Sequence, residues 1–450
     1  MSVRIVRGLL VVVAAMLLAP LSAPRDAVAA VDPAPRTPIR HLVMLMQENH
    51  SFDNYFGTYP NADGVPAGVC MPVRPDKPEK GCVKPHRLTE GPLRDQSHDY
   101  KTALRQLNEG KMDGFVRALQ VRRQDGAVAM GYYDRRDLPF HWAVADQYVL
   151  FDRFFSSSLQ GGAVNHAFWM SGRPKVDDGP TIFDRLEKRG ISWKFYVAGH
   201  DPNLNIRTPP SKRTARWGRV LDDVPILKLA RFADDRRLAS RIVDLDQYYE
   251  DLQEGNLPAV AFMVNYGASE HPPGDLALGQ RLVRSLVNQL MASSAWKDSA
   301  FLYTYDDWGG WYDHVRPPKV DASGYGFRVP ALLVSPYARR GHVDHTQLDH
   351  TAGIRFIEEN WGLEPLADRD AAAKTFTAAF DFSSPPRGPA LLTEGSDIGG
   401  GATLKRPRSG LLYGFYGAAF AVAGLVLAAA FVTARRHASS RAWPDPGGPG

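Results

Sequence analysis

The sequence predicts an α/β fold: three layers, α/β/α, around a mostly parallel sheet, plus one C-terminal transmembrane helix. Three observations carry this. Short apolar runs alternate with amphipathic helical patterns, the rhythm of βαβ units. Two of the runs, His41-Leu-Val-Met-Leu-Met46 and Phe301-Leu-Tyr-Thr-Tyr305, end directly in carboxylate and amide groups. A stretch without charge, Leu411 to Val432, is 22 residues long, enough to cross a ~30 Å hydrocarbon core as a helix.

The elements follow in order. Residues 1–30 read as a secretory signal peptide, with Arg4 and Arg7, an apolar stretch from Leu9 to Leu18, and a small-residue end at Ala27-Val-Ala-Ala30. Pro20 and the short apolar core argue against an uncleaved anchor, and the two arginines are not adjacent, so a twin-arginine signal is not indicated. Residues 31–380 form the main domain, opened by a Pro-rich lead-in. Pro60 to Pro92 reads as a long loop holding Cys70 and Cys82, the chain's two cysteines; in an exported domain they form one local disulfide. Ser192 to Val197, Pro258 to Val264 and Ala331 to Val334 read as strands. Asp275 to Ser293 reads as an amphipathic helix, and Ala352 to Asn360 as another. Ala198 to Asp246, richer in charge and proline, reads as an insertion over the site. Residues 381–410, rich in Ser, Pro and Gly, read as a flexible tether, 411–433 as the membrane helix, and 434–450 as a short cytoplasmic tail. Tyr413, Phe415 and Tyr416 sit where an aromatic belt lies. The export signal places the main domain outside the membrane.

The formal net charge of +5 comes from the ends. Residues 1–30 and 405–450 hold nine of the 54 basic and two of the 49 acidic side chains, leaving 45 against 47. A near-neutral domain gives no nucleic-acid footprint.

The chemistry concentrates at the two strand ends. Gln47-Glu-Asn-His-Ser-Phe-Asp53 follows the first, and Asp306-Asp-Trp-Gly-Gly-Trp-Tyr-Asp-His314 the second. Each alone is more often a helix cap or a solvated turn than a site. In a parallel sheet, ligands gather outside the carboxyl ends of the strands. If the two strands are neighbours, Glu48, Asn49, Asp306 and Asp307 form one oxygen-rich cup for a divalent cation. Such a cation neutralises phosphate and activates an attacking oxygen.

These segments resemble the bacterial phosphoesterase family of phospholipase C and acid phosphatase type, related to the alkaline phosphatase superfamily. The opening motif runs from His41 to Gly57. Ser269-Glu-His-Pro-Pro273, Tyr305 to Val315, Arg328 to Arg340, Val343 to Thr351 and Arg355 to Leu363 follow in family order. The resemblance covers about His41 to Leu366 and implies an alkaline-phosphatase-like fold. It also implies hydrolysis of a phospholipid or another phosphate ester, with a divalent metal (Ca, Zn, Mg or Mn). Carried over, Glu48, Asn49, Asp306 and Asp307 bind the metal; Asp307 stands where many members have Glu, and Trp308 where a His is common. His271 and His98 contact the phosphate or protonate the leaving group, each also readable as a structural histidine. Asn165 and His166 remain as phosphate contacts. Ser51, Phe52 and Asp53 fix their loop, Asp313 and His314 stabilise the Gly-Gly turn, and His345 and His350 cap a helix or position Asp306.

One departure stands out. The family's Ser or Thr nucleophile falls on Gly162, beside Ala163, with Ser156, Ser157 and Ser158 nearby. A covalent route needs an oxygen or sulfur nucleophile. Three readings follow: a cation activates water directly, a displaced serine serves, or the chain is a non-catalytic metal- or phosphate-binding surface protein. A sulfatase would need a Cys/Ser-x-Pro-x-Arg segment near the first strand, and the sequence has none there.

Overall fold

The computed structural model describes residues 32–89 and 93–393. The expected signal peptide, the membrane helix 411–433 and the tail 434–450 lie outside the described residues. Among the described residues no helix is long and apolar enough to cross a membrane.

Eight strands make the main sheet: β1 (His41–Gln47), β2 (Val149–Phe151), β3 (Trp193–Val197), β4 (Ile242–Asp244), β5 (Val260–Val264), β6 (Ser299–Tyr305), β7 (Ala331–Val334) and β8 (His342–Asp344). Their order is β8-β2-β7-β6-β1-β5-β3-β4. All neighbours run parallel except those of β7, which is antiparallel to both β6 and β2. β1, β5 and β6 are buried on both faces, which is why they read as continuous apolar runs rather than alternating ones.

The register fixes the layers. Met44 pairs with Phe262 of β5 and Leu302 of β6, and Leu45 with Tyr303. On the Met44 face, Trp169 of helix α3 (Gly162–Ser171) lies 4.6 Å from Phe262, centroid to centroid. Helix α6 (Thr351–Trp361) comes so close there that a Cβ on Gly353 would lie 2.6 Å from the Met44 sulfur. On the Leu45 face, His141 of helix α2 (Pro139–Gln147) lies 3.1 Å from the Tyr303 hydroxyl. Helices therefore cover both faces, as the βαβ rhythm requires. Short α1 (Phe52–Phe56), α4 (Ala215–Asp223) and the long α5 (Leu276–Ala292) complete the elements that matter for the site.

Cys70 and Cys82 form the expected local disulfide. Asp53 and Asp313 clamp the fully buried Arg328 at 2.9 Å each, and His314 Nδ1 reaches Asp53 at 2.7 Å. Residues 51–53 and 313–314 thus hold the loops that follow β1 and β6. Burial raises the Asp313 carboxyl to about 6 even beside Arg328.

The main domain runs past the expected boundary at 380. Arg387 donates to the Ala338 carbonyl at 2.6 Å, and Asn288 exchanges two hydrogen bonds with the Leu392 backbone, at 2.9 and 3.0 Å. Residues 381–393, expected in the flexible tether, are anchored to the domain at Arg387, which reaches carbonyls of the loop after β7, and at Leu392, although most of the segment is exposed. Residues 394–410 lie outside the described residues.

Candidate active site

β1 and β6 are adjacent and in register to their last residues, Gln47 against Tyr305. Glu48-Asn49 and Asp306-Asp307 therefore leave the sheet side by side. The end of β1 is tied to the loop after β5: Asn265 Nδ2 donates to Gln47 Oε1 at 2.6 Å and the Glu48 N–H to the Ser269 carbonyl at 2.9 Å. That loop carries His271. A cavity of about 420 Å³ opens where these segments meet, lined by Glu48, Asn49, Asp306, Asp307, His98 and His271.

Local conformation aims these groups. Asn49 has φ 69°, a left-handed turn that asparagine tolerates better than most residues. It points the Asn49 N–H at Asp306 Oδ1, 3.1 Å away, and the Asp307 N–H reaches the same oxygen at 2.8 Å. With its amide turned to satisfy these neighbours, Asn49 Nδ2 donates to Asp306 Oδ1 at 3.2 Å and Asp307 Oδ1 at 3.1 Å, and its oxygen accepts from His271 Nε2 at 2.8 Å. The His271 Nδ1–H donates to the Pro272 carbonyl at 2.6 Å, so Nε2 is the nitrogen that faces the cavity.

The electrostatics are those of a site built around a cation. Burial, then Asp307, Glu48 and Asp223, push the Asp306 carboxyl well above the usual carboxylate range. Burial likewise raises Asp307, against the charge of His98, and Glu48, against His271 and Arg219. His98 moves the other way: burial would lower it, but Asp307 and Asp95 outweigh that and favour the imidazolium. Asp307 Oδ2 is buried without a hydrogen-bond partner. The carboxylates of Glu48, Asp306 and Asp307 form a hard donor set, and turning the Asn49 amide over would add its oxygen to it. By donor chemistry Glu48, Asp306 and Asp307 suit a divalent cation, while the acidic and imidazole groups whose ligand atoms converge within 4.8 Å of one another beside the cavity are Asp95, His98 and His271.

The insertion over the site supplies the opposite wall. α4 contributes Ala215, Gly218, Arg219, Asp222 and Asp223 to the cavity. Sequence reasoning placed this segment over the site but singled out none of these side chains. The remaining wall is the N-terminus of α3, with Gly162 and Ala163.

Asn165 and His166 do not line the cavity. They sit one turn further along α3 and are buried, His166 Nε2 lying 3.9 Å from an Asp223 oxygen. Asn165 Nδ2 donates to the Ser158 carbonyl at 3.3 Å. Burial lowers the His166 imidazole to about 3, leaving it neutral. Ser156, Ser157 and Ser158 are also fully buried and absent from the cavity wall. Ser157 donates to Asp349 at 2.8 Å, and Ser156 faces the carbonyls of Ser158 and Phe327 at 3.4 and 3.3 Å. His350 Nε2 donates to the Tyr305 carbonyl at 2.9 Å, one residue before Asp306, while His345 pairs with Asp152 at 2.8 Å.

A family model described as the Phosphoesterase family matches residues 39–364. Phospholipase C A of Mycobacterium tuberculosis is 30% identical over 423 residues, covering 79% of this chain and 79% of that protein. The non-hemolytic phospholipase C of Pseudomonas aeruginosa is 27% identical over 424 residues, 78% of this chain and 58% of that longer protein. A solved structure of a protein in the alkaline phosphatase superfamily from Vibrio parahaemolyticus aligns over 52% of this chain and 61% of that one, with a TM-score of 0.32 and 12% identity.

Proposed function

Because this chain belongs to the Phosphoesterase family and is a hydrolase of phosphate ester bonds, we propose that it is an exported, membrane-tethered, metal-dependent enzyme. Its reaction is of phospholipase C or acid phosphatase type, on a phospholipid or a related phosphate ester. One observation carries the reading: Glu48, Asn49, Asp306 and Asp307 meet His98 and His271 around one cavity at the carboxyl ends of parallel strands. Export and tethering rest on the signal-like residues 1–30 and the uncharged stretch Leu411 to Val432.

Glu48, Asn49, Asp306 and Asp307 would hold the divalent cation, which supplies phosphate neutralisation and activation of the attacking oxygen. The chain's own residues do the rest. The first N–H groups of α3, at Gly162 and beyond, lack intrahelical partners and favour an anion beside them. A protonated His98 places a positive charge over the phosphoryl group. The His271 ring is fixed by Pro272 and presents Nε2 to the cavity, where it can protonate the leaving-group oxygen. Neither Gly162 nor the buried serines offers a hydroxyl at the cavity, which supports attack by water in a single displacement.

The full-length protein in detergent, given phosphatidylcholine and a phosphate monoester with and without Ca, Zn, Mg and Mn, tests the reading. Cation-dependent release of phosphocholine or of phosphate is expected. No turnover with any cation, across pH, would overturn it in favour of a binding protein that keeps the cup.

A further inference from the structure

We propose that Glu270 is the positioning residue on which the three segments of the site are assembled, acting through His271, Tyr305 and Tyr55 rather than on substrate. Glu270 is buried, 1% exposed, and stands outside the cavity wall while its neighbour His271 stands in it. At φ 68° Glu270 adopts the left-handed backbone that a long side chain rarely takes. The turn sends consecutive side chains opposite ways, Glu270 into the core and His271 into the cavity.

The core side of that turn is a closed polar network. Glu270 Oε2 accepts from the Tyr55 and Tyr305 hydroxyls, each at 2.6 Å, and Oε1 accepts from His141 Nε2 at 3.0 Å. The Glu270 carbonyl accepts from His50 Nε2 at 3.0 Å. Apart from His141 of α2, each partner belongs to a segment that carries the site. His50 and Tyr55 follow Glu48 and Asn49; Tyr305 immediately precedes Asp306 and Asp307; Glu270 itself precedes His271. One carboxylate therefore joins the β1 exit, the β6 exit and the β5 loop.

A buried carboxylate costs several kcal/mol in desolvation, and well-packed apolar groups can match or better it for stability. Placing one at the junction of three functional segments makes sense as orientation, since groups behind a metal ligand or catalytic histidine set its geometry. The fold also clears space for it: a Cβ on Gly279 would lie 2.1 Å from the Glu270 Cγ. The inference rests on reading the cavity as the hydrolytic site.

Glu270→Gln, Tyr55→Phe and Tyr305→Phe test it in the full-length protein. Divalent-cation affinity by calorimetry, kcat and KM, the thermal midpoint, and the His271 ring signal by NMR are compared with wild type. Glu270→Gln is expected to lose 10- to 100-fold in cation affinity and in kcat, with KM within about threefold, and to shift the His271 resonance. The tyrosine variants, which keep the carboxylate, are expected to move each readout in the same direction by less and guard against misfolding of the first variant. Lower thermal midpoints with unchanged affinity, kcat and His271 signal would show a merely structural role and overturn the proposal. If the wild type neither binds cation nor turns over, the hydrolytic reading fails, and the His271 signal alone still decides whether Glu270 sets that ring.

Discussion

A Cβ on Gly162 would lie 2.3 Å from Oδ2 of Asp306. The position where the family resemblance implies a hydroxyl thus faces a carboxylate oxygen of the cup. Asp306 cannot swing aside freely, because its Oδ1 is held by the N–H groups of Asn49 and Asp307. Gly162→Thr is therefore expected to displace Asp306 and lower both divalent-cation affinity and kcat at least tenfold. Calorimetry and steady-state kinetics check this. A gain of activity would show that only the hydroxyl was missing.

Ser157 is a structural hydroxyl on this account. Ser157→Ala removes a buried hydrogen bond to the Asp349 carboxylate, with an expected loss of about 1.5–3 kcal/mol in stability by urea denaturation. The kcat should stay within about threefold. The same holds for Ser156→Ala and Ser158→Ala, with smaller stability losses, whereas removal of a nucleophile costs orders of magnitude in rate.

Asp306→Asn keeps the acceptor oxygen and removes the charge. Burial and three neighbouring carboxylates raise Asp306, so the cation-free variant should be at least as stable as wild type at neutral pH. Wild type should gain about 2.7 kcal/mol at a cation concentration 100 times the Kd. The variant should gain little. Thermal melts with and without cation read both effects.

How much of this was legible in the sequence depended on distance along the chain. β1 and β6 announce themselves locally, as apolar runs ending in acids, but their adjacency is only a condition in the sequence and comes from the strand order of the folded sheet. Glu270 sat in a recognisable motif, but its partner Tyr55 lies 215 positions away, and no local pattern reveals a contact of that separation. Asp222, Asp223 and Arg219 lie in the charge-rich insertion, where no local pattern singles them out, and α4 brings them to the cavity. The family resemblance alone assigns Asn165 and His166 to the site; in the fold both are buried in the core and neither lines the cavity. The Ser-, Pro- and Gly-rich composition after 380 hid Arg387, whose guanidinium anchors that segment to the domain.

Glu358 gives a pH signature independent of the site. It is buried beside Asp370, with Arg355 3.8 Å from one of its oxygens, and burial then Asp370 raise it to about 9 against the charge of Arg355. In the folded state it holds a proton that the unfolded chain has lost, so it favours folding at low pH, and this contribution shrinks as pH rises from the ordinary carboxylate range towards 9. Glu358→Gln, which mimics the protonated form, should flatten the fall in stability between about pH 5 and pH 9. Unchanged curvature in denaturant titrations across that range would contradict this.

The central claim is that water attacks phosphorus at the Glu48, Asn49, Asp306 and Asp307 cup in one displacement, with no enzyme hydroxyl taking part. The stereochemical course at phosphorus tests it most directly, using a substrate made chiral at phosphorus with sulfur and oxygen isotopes. A single displacement inverts the configuration, and inversion is the expected result. Net retention would mean two displacements through a covalent phospho-enzyme, and would contradict the account.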